Sequence, residues 1–349
     1  MSSKNISAVN SDGIMGNRLK GLNGIRALAA LILLWGHTFQ ADFGKWGGGL
    51  DDLQIPLPVC CAYIFFVLSG FLAGYRCKPV SSVSAYYKKK AKRLLPLYYS
   101  YIIISIVVFS LLGRSDEILN KGLWLYIIPF PNIPFCTSTG ILPLVHLWFL
   151  GSLIFFYLVF PFFTRIKESR LLYVSAAICI SWALAKWGIY ALVGKDTFLY
   201  RFWGTSGIDC LFGGVFLGLL AKGRNPFVER LASSKAVCLI AWILFLTSGL
   251  YGNHIPAPVR TEFMAVITML MIISQMPAKP IVSLDNRLCE WLGDISFEIY
   301  VSSILLIILL SALYESSGVV CPAIVIWAVV TFVVIACSKA MNFLLKLIE

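Results

Sequence analysis

Long apolar stretches dominate this chain, and short polar or Pro/Gly-rich segments divide them. Ten stretches stand out, at about 21–41, 56–75, 94–112, 141–163, 171–193, 203–221, 236–251, 260–277, 290–313 and 319–342. About 20 apolar residues cross a bilayer as one α-helix, because a helix satisfies its own backbone where no water can. The pattern predicts an all-α polytopic membrane protein with about ten transmembrane helices. A further apolar piece, Leu123–Pro131, is too short to cross alone and is expected to be re-entrant or interfacial. Residues 1–20 are polar, without the apolar core and small-residue cleavage site of a signal peptide. They read as a cytoplasmic tail before a single transmembrane domain over 21–345, with no appended periplasmic domain.

Composition agrees: 59% of residues are hydrophobic and 13% charged, which is not the balance of a soluble domain. With the N-terminus inside, most of the 29 Lys and Arg residues face the cytoplasm. Only Lys45, Arg114, Lys121, Lys195, Arg201 and Arg260 fall in outer loops. This asymmetry predicts that both termini are cytoplasmic. The net charge of +12 is then a matter of topology and anionic membrane lipids, and no nucleic-acid partner is expected. The ten cysteines are scattered without metal-ligand spacing, so no metal is expected.

Candidate chemistry begins in the first span. Arg26 and His37 lie eleven residues apart, about three helical turns, so they share one face roughly 16 Å apart along the axis. Ionisable groups within a span point to function; snorkelling for Arg26 and plain packing for His37 are the structural alternatives. The second span ends with Ser69-Gly70 and then Arg76, where close helix approach is the bland reading. The loop before span three holds Lys88, Lys89, Lys90, Lys92 and Arg93. It is either a positive-inside anchor or a site for a phosphate-bearing ligand, with Lys90 and Arg93 one turn apart. His146, Lys186 and Asp209 lie at similar outer depth, and Lys186 and Asp209 are expected to pair. Glu298 is placed near mid-membrane in span nine, and Arg260 and Glu262 at the outer mouth. Trp148, Trp203 and Tyr300 are either sugar-stacking platforms or interfacial and packing residues.

Several blocks together carry a resemblance. They are Gly21-Leu-Asn-Gly-Ile-Arg26 with His37, Phe65-Phe-Val-Leu-Ser-Gly-Phe-Leu72, and Lys90-x-x-Arg93-x-x-Pro96-x-Tyr98. His146-Leu-Trp-Phe-Leu150 with Tyr157 and Pro161, and Gly293-Asp-Ile-Ser-Phe-Glu-Ile-Tyr300, complete the set. From about residue 20 to 340 the chain resembles the membrane acyltransferase family three. The resemblance implies a bacterial inner-membrane enzyme that O-acylates a surface polysaccharide, such as an O-antigen or exopolysaccharide unit of lipid-linked or polymerised form. It implies acyl-CoA, usually acetyl-CoA, as donor. It further implies His37 as the catalytic histidine, with Arg26, Arg93 and nearby basic residues handling the donor. On this reading Arg76, Lys90, Tyr98 and Ser69 contribute to the donor site, Ser69 or Tyr98 to oxyanion stabilisation. His146, Trp148, Asp209, Lys186, Glu298 and Tyr300 form the remaining polar site.

The match departs from the family at three points. Lys90 replaces an Arg, which keeps charge but loses bidentate geometry. Leu153 and Ile154 stand where many relatives carry Glu, and Ser303 stands where many carry His. Direct transfer with His37 as general base and an acetyl-His37 intermediate both remain open. So do a succinyl or other acyl donor, a flippase for a lipid-linked glycan, and a sensor without chemistry.

Overall fold

The structure is a computed structural model that describes residues 21–40, 61–120, 122–137, 139–252, 254–318 and 321–348. The polar tail, the loop containing Lys45 and the start of the second apolar stretch lie outside the described residues. Among the described residues every regular element is helical.

The principal helices are α1 (Leu22–Gln40), α2 (Cys61–Tyr75), α3 (Val83–Leu111), α4 (Trp148–Phe163), α5 (Glu168–Val193) and α6 (Phe198–Thr205). They continue with α7 (Ile208–Lys222), α8 (Lys235–Leu246), α9 (Ala257–Ser274), α10 (Ser296–Ser317) and α11 (Ala323–Ile348). Seven segments are long and apolar enough to cross a membrane: α3, α4 with its preceding turn, α5, α6 with α7, α9, α10 and most of α11. Helices α2 and α8 are apolar but shorter.

Some stretches that read as continuous in sequence are broken. Gly207, at φ +62° with the Phe66 ring against it, separates α6 from α7; an L side chain there would be strained and blocked. Ile295 separates a short helix, Arg287–Asp294, from α10. Glu298 is therefore in the first turn of α10, beside Ser296 and Phe297 of an inner cavity described below. The apolar piece Leu123–Pro131 is a single turn of helix, Trp124–Ile127. It leaves Trp124 and Ile127 exposed while Tyr126 is buried.

Helices α2 and α7 form the centre. Lipid tails are as apolar as Leu, so helices in a membrane associate through close packing, which small residues permit. Gly70 and Gly74 of α2 lie against the backbone carbonyls of Leu211 and Val215. Gly214 and Gly218 of α7 lie against those of Val67 and Phe71. A Cβ at any of the four would collide with the opposing backbone. The α6–α7 span is 72% buried in its apolar window, whereas α5 is 6% buried. Helix α5 is therefore peripheral, showing Ile180, Leu184 and Leu192 to the outside. The short helix Arg287–Asp294 packs on α1, where Gly293 meets the Asn23 carbonyl.

Candidate active site: two cavities along one helix

Helix α1 borders two cavities. One, of about 410 Å³ and called inner for the side that the charge pattern predicts for it, is lined by Arg26, Ser69, Arg76, Lys78, Lys89, Lys90 and Arg93, with Tyr86, Phe149, Tyr157 and Asp294. Six of these are cations. They converge because Arg26 comes from α1, Arg76 and Lys78 follow the end of α2, and Lys89, Lys90 and Arg93 share a face of α3. Arg26 donates to Asn23 Oδ1 at 3.4 Å, and Asn23 donates to Asp294 Oδ1 at 3.1 Å. The Lys90 ammonium lies 3.8 Å from the Tyr157 ring centre, a cation–π contact that holds it without neutralising it. Ser69 has no hydrogen-bond partner among the described residues, which leaves its O–H available to donate.

The outer cavity, of about 640 Å³, is lined by His37, His146, Trp148, Tyr63, Phe135 and Tyr300, with aliphatic residues of α10 and Ser311 and Glu315 near that helix's end. The shared face expected of Arg26 and His37 is realised as one residue at each cavity. The His37 and His146 rings are 6.4 Å apart, edge to face. The two imidazoles differ in their surroundings. Nδ1 of His146 lies 3.0 Å from the Pro143 carbonyl oxygen and Nε2 lies 2.9 Å from that of Val301. A neutral imidazole has one N–H, which it can donate to either carbonyl; its other nitrogen then faces a carbonyl oxygen, which stands between it and a substrate hydroxyl. His37 has no hydrogen-bond partner among the described residues and is only partly buried. Both rings line the cavity, and His37 is the more exposed of the two.

Tyrosines fix the segment that carries His146. Tyr101 donates to the Pro143 carbonyl at 3.1 Å, Tyr300 donates to the His146 carbonyl, and the Tyr126 hydroxyl accepts from Ile141 N at 3.2 Å. Tyr98 donates to the Tyr126 carbonyl at 2.7 Å. Tyr98 is thereby committed to structure, and it does not line the inner cavity to which the sequence reading assigned it. Trp148 lies over Phe135 with ring centres 5.3 Å apart, giving the outer cavity an aromatic wall.

The other polar residues lie elsewhere. Lys186 pairs with Asp209 at 2.8 Å, as their similar depth suggested, but also with Glu262 at 2.5 Å and with the Thr261 hydroxyl. This cluster ties α5, α7 and α9 together and lines neither cavity. Two carboxylates around one buried ammonium reduce the cost of placing it in the bilayer. Glu298 accepts from Asn342 at 2.5 Å, joining α10 to α11; it too lines neither cavity. Sequence reasoning missed Lys78 and Asp294 at the inner cavity, Asn23 that links Arg26 to Asp294, and Glu262 at the cluster; it had Lys89 in the basic run without singling it out. Asn23, one turn before Arg26, was the one with a local signal.

Comparison with known proteins agrees with the architecture. The family model described as an acyltransferase domain, of the acyltransferase 3 type, matches residues 19–342. YrhL of Bacillus subtilis, provisionally named a peptidoglycan O-acetyltransferase, is 23% identical over 92% of this chain and 53% of its own length. Acyltransferase MdmB of Streptomyces mycarofaciens is 28% identical over 43% of this chain and 40% of its own. O-acetyltransferase OatA of Staphylococcus aureus is 27% identical over 41% of this chain and 24% of its own. The chain thus spans about half the length of these relatives or less. No solved structure matches it. The family match, covering nearly the whole chain and both cavities, shows that this chain belongs to the acyltransferase 3 family of membrane proteins.

Proposed function

We propose that this chain is an O-acyltransferase of a bacterial inner membrane. It carries an acyl group, most simply acetyl, from cytoplasmic acyl-CoA to a hydroxyl of an envelope saccharide. The observation that carries this reading is the placing of a cationic cavity and a histidine cavity at opposite ends of α1. Phosphate recognition calls for converging Arg and Lys side chains. Acyl transfer to an alcohol calls for a base beside the hydroxyl. In this reading all ten apolar stretches cross the membrane, both termini face the cytoplasm, and the inner cavity opens there.

Arg26, Arg76, Lys90 and Arg93 bind the phosphates of CoA. The saccharide enters the outer cavity against Trp148. His37 accepts the hydroxyl proton, the oxygen bonds to the thioester carbonyl carbon, and the carbon–sulfur bond breaks. The proton then passes from His37 to the departing thiolate. The Ser69 hydroxyl donates to the oxyanion as it forms. His146 buttresses His37 and takes no proton itself. An O-antigen or exopolysaccharide unit is the acceptor that the family resemblance favours, and the name of YrhL adds peptidoglycan to that class.

The test is the O-acetyl content of the host's envelope glycans, measured by NMR in wild type, deletion, and deletion complemented with wild type or His37→Ala. Deletion should remove acetyl signals that the wild-type gene restores and His37→Ala, at equal membrane level, does not; loss of a general base costs about 10²–10⁴ in rate. Unchanged acetylation on deletion would move the function to transport or to another acceptor. Full rescue by His37→Ala would remove His37 from the mechanism.

A further inference from the structure

We propose that Phe149 sets the size of the acyl group this protein transfers; the inference rests on the acyl-CoA reading above. Phe149 is 2% exposed, yet it lines the inner cavity. Its ring centre lies 5.2 Å from that of Tyr300, which lines the outer cavity. Two aromatic rings in contact therefore separate the cationic cavity from the histidine cavity. Phe66 closes the same wall, with its ring centre 4.6 Å from that of Phe149.

The three rings are not equally free. Phe66 is fully buried, with Gly207 against its ring. Tyr300 is tethered by its hydroxyl to the His146 carbonyl. Phe149 carries no polar group and is held by packing alone. A donor bound through its phosphates among the inner cations presents its thioester end, and so its acyl group, ahead of the rest. For the acyl carbonyl to meet a hydroxyl beside His37, that group must press against Phe149. The saccharide oxygen bonds to the carbonyl carbon, the carbon–sulfur bond breaks, and the proton moves by way of His37 to the thiolate. No bond forms or breaks at Phe149, so it acts by shape. An aromatic ring at this point leaves room for a short acyl chain and refuses longer ones. One methylene in an apolar pocket is worth about 10- to 200-fold in discrimination.

The test uses membrane vesicles from the host deletion strain carrying the full chain as wild type, Phe149→Leu, Phe149→Ala or Phe156→Leu. Each is supplied with radiolabelled acetyl-, propionyl- or butyryl-CoA, and alkali-labile label in the glycan fraction is counted. Phe156 is a buried phenylalanine of the same helix that itself lines neither cavity, packed on Phe212 and on Phe160 of the inner cavity's wall, so it controls for general loosening next to that cavity. Phe149→Ala should raise the butyryl-to-acetyl ratio about tenfold or more, Phe149→Leu less, and Phe156→Leu should match wild type. A gain in butyryl transfer cannot come from misfolding. An unchanged ratio in the Phe149 variants with acetyl transfer retained overturns the proposal. So does an equal shift in Phe156→Leu, or loss of all three donors in both Phe149 variants. If the wild type itself labels nothing from any donor, the acyl-CoA reading fails, and this inference with it.

Discussion

At the scale of single residues, the basic run before α3 shows how one stretch serves two purposes. Lys88, Lys89, Lys90, Lys92 and Arg93 are an orienting charge cluster by composition. Helical geometry turns Lys89, Lys90 and Arg93 into the inner cavity. Under the proposed function, Arg93→Ala should raise KM for acyl-CoA about tenfold or more while leaving kcat within a few-fold, since a hydrogen bond to a charged group contributes about 1.5–3 kcal/mol. Lys90→Ala should behave alike and Lys90→Arg should retain affinity, whereas Lys92→Ala, outside the cavity, should have no effect. Initial-rate kinetics on vesicles check this; a fall in kcat alone for Arg93→Ala would detach the residue from donor binding. The histidines teach a second lesson. His37 and His146 are both intramembrane imidazoles in sequence, and only their neighbours tell them apart. Both line the cavity, but the nitrogens of His146 face two carbonyl oxygens while those of His37 have no hydrogen-bond partner among the described residues.

At the scale of elements, the pairing of α2 with α7 organises the molecule. Both the donor-site Ser69 and the wall residue Phe66 ride on α2, so the spacing of this pair positions both cavities. A leucine at Gly214 would meet the Val67 carbonyl and the Phe71 amide, forcing the helices apart. Gly214→Leu should therefore reduce folded protein in the membrane severely, whereas Gly188→Leu, on peripheral α5 with open space around it, should be silent. Membrane abundance and thermal stability by fluorescence-detected chromatography check the pair. Equal behaviour of the two would mean that the contact contributes little. The sequence offered Gly70 only as a weak sign of close approach, because it takes two facing glycine pairs to make the argument, and the second pair lies far along the chain.

At the scale of the whole molecule, orientation governs the mechanism, since the donor must come from the side that holds acyl-CoA. The charge asymmetry predicts that the α5–α6 loop faces outward and the segment after α7 inward. Alkaline phosphatase fused after Asp196 should be active, and after Arg224 inactive; the reverse pattern would place the cationic cavity outside and remove acyl-CoA as donor. The Lys186 cluster also belongs to this scale. Lys186 is 1% exposed and meets acids from two other helices, so it fastens the peripheral α5 to the central α7. Sequence depth suggested the partner Asp209. Glu262 was assigned to the outer mouth instead, because hydropathy gives depth along a span and not the direction in which a side chain points around it.

The sequence by itself determined what depends on length and period: a helical multi-pass membrane protein and a shared face for Arg26 and His37. These follow from backbone satisfaction in lipid and from 3.6 residues per turn, both local along one helix. Family motifs added the chemistry. Tertiary structure decided what depends on which helices meet. It joined Asp294 to Asn23 and Arg26, turned Tyr98 from a candidate donor into a brace, paired Glu298 with Asn342, and set Phe149 between the two cavities. Those contacts join residues far apart in the chain, where neither hydropathy nor spacing carries information about which helix face meets which.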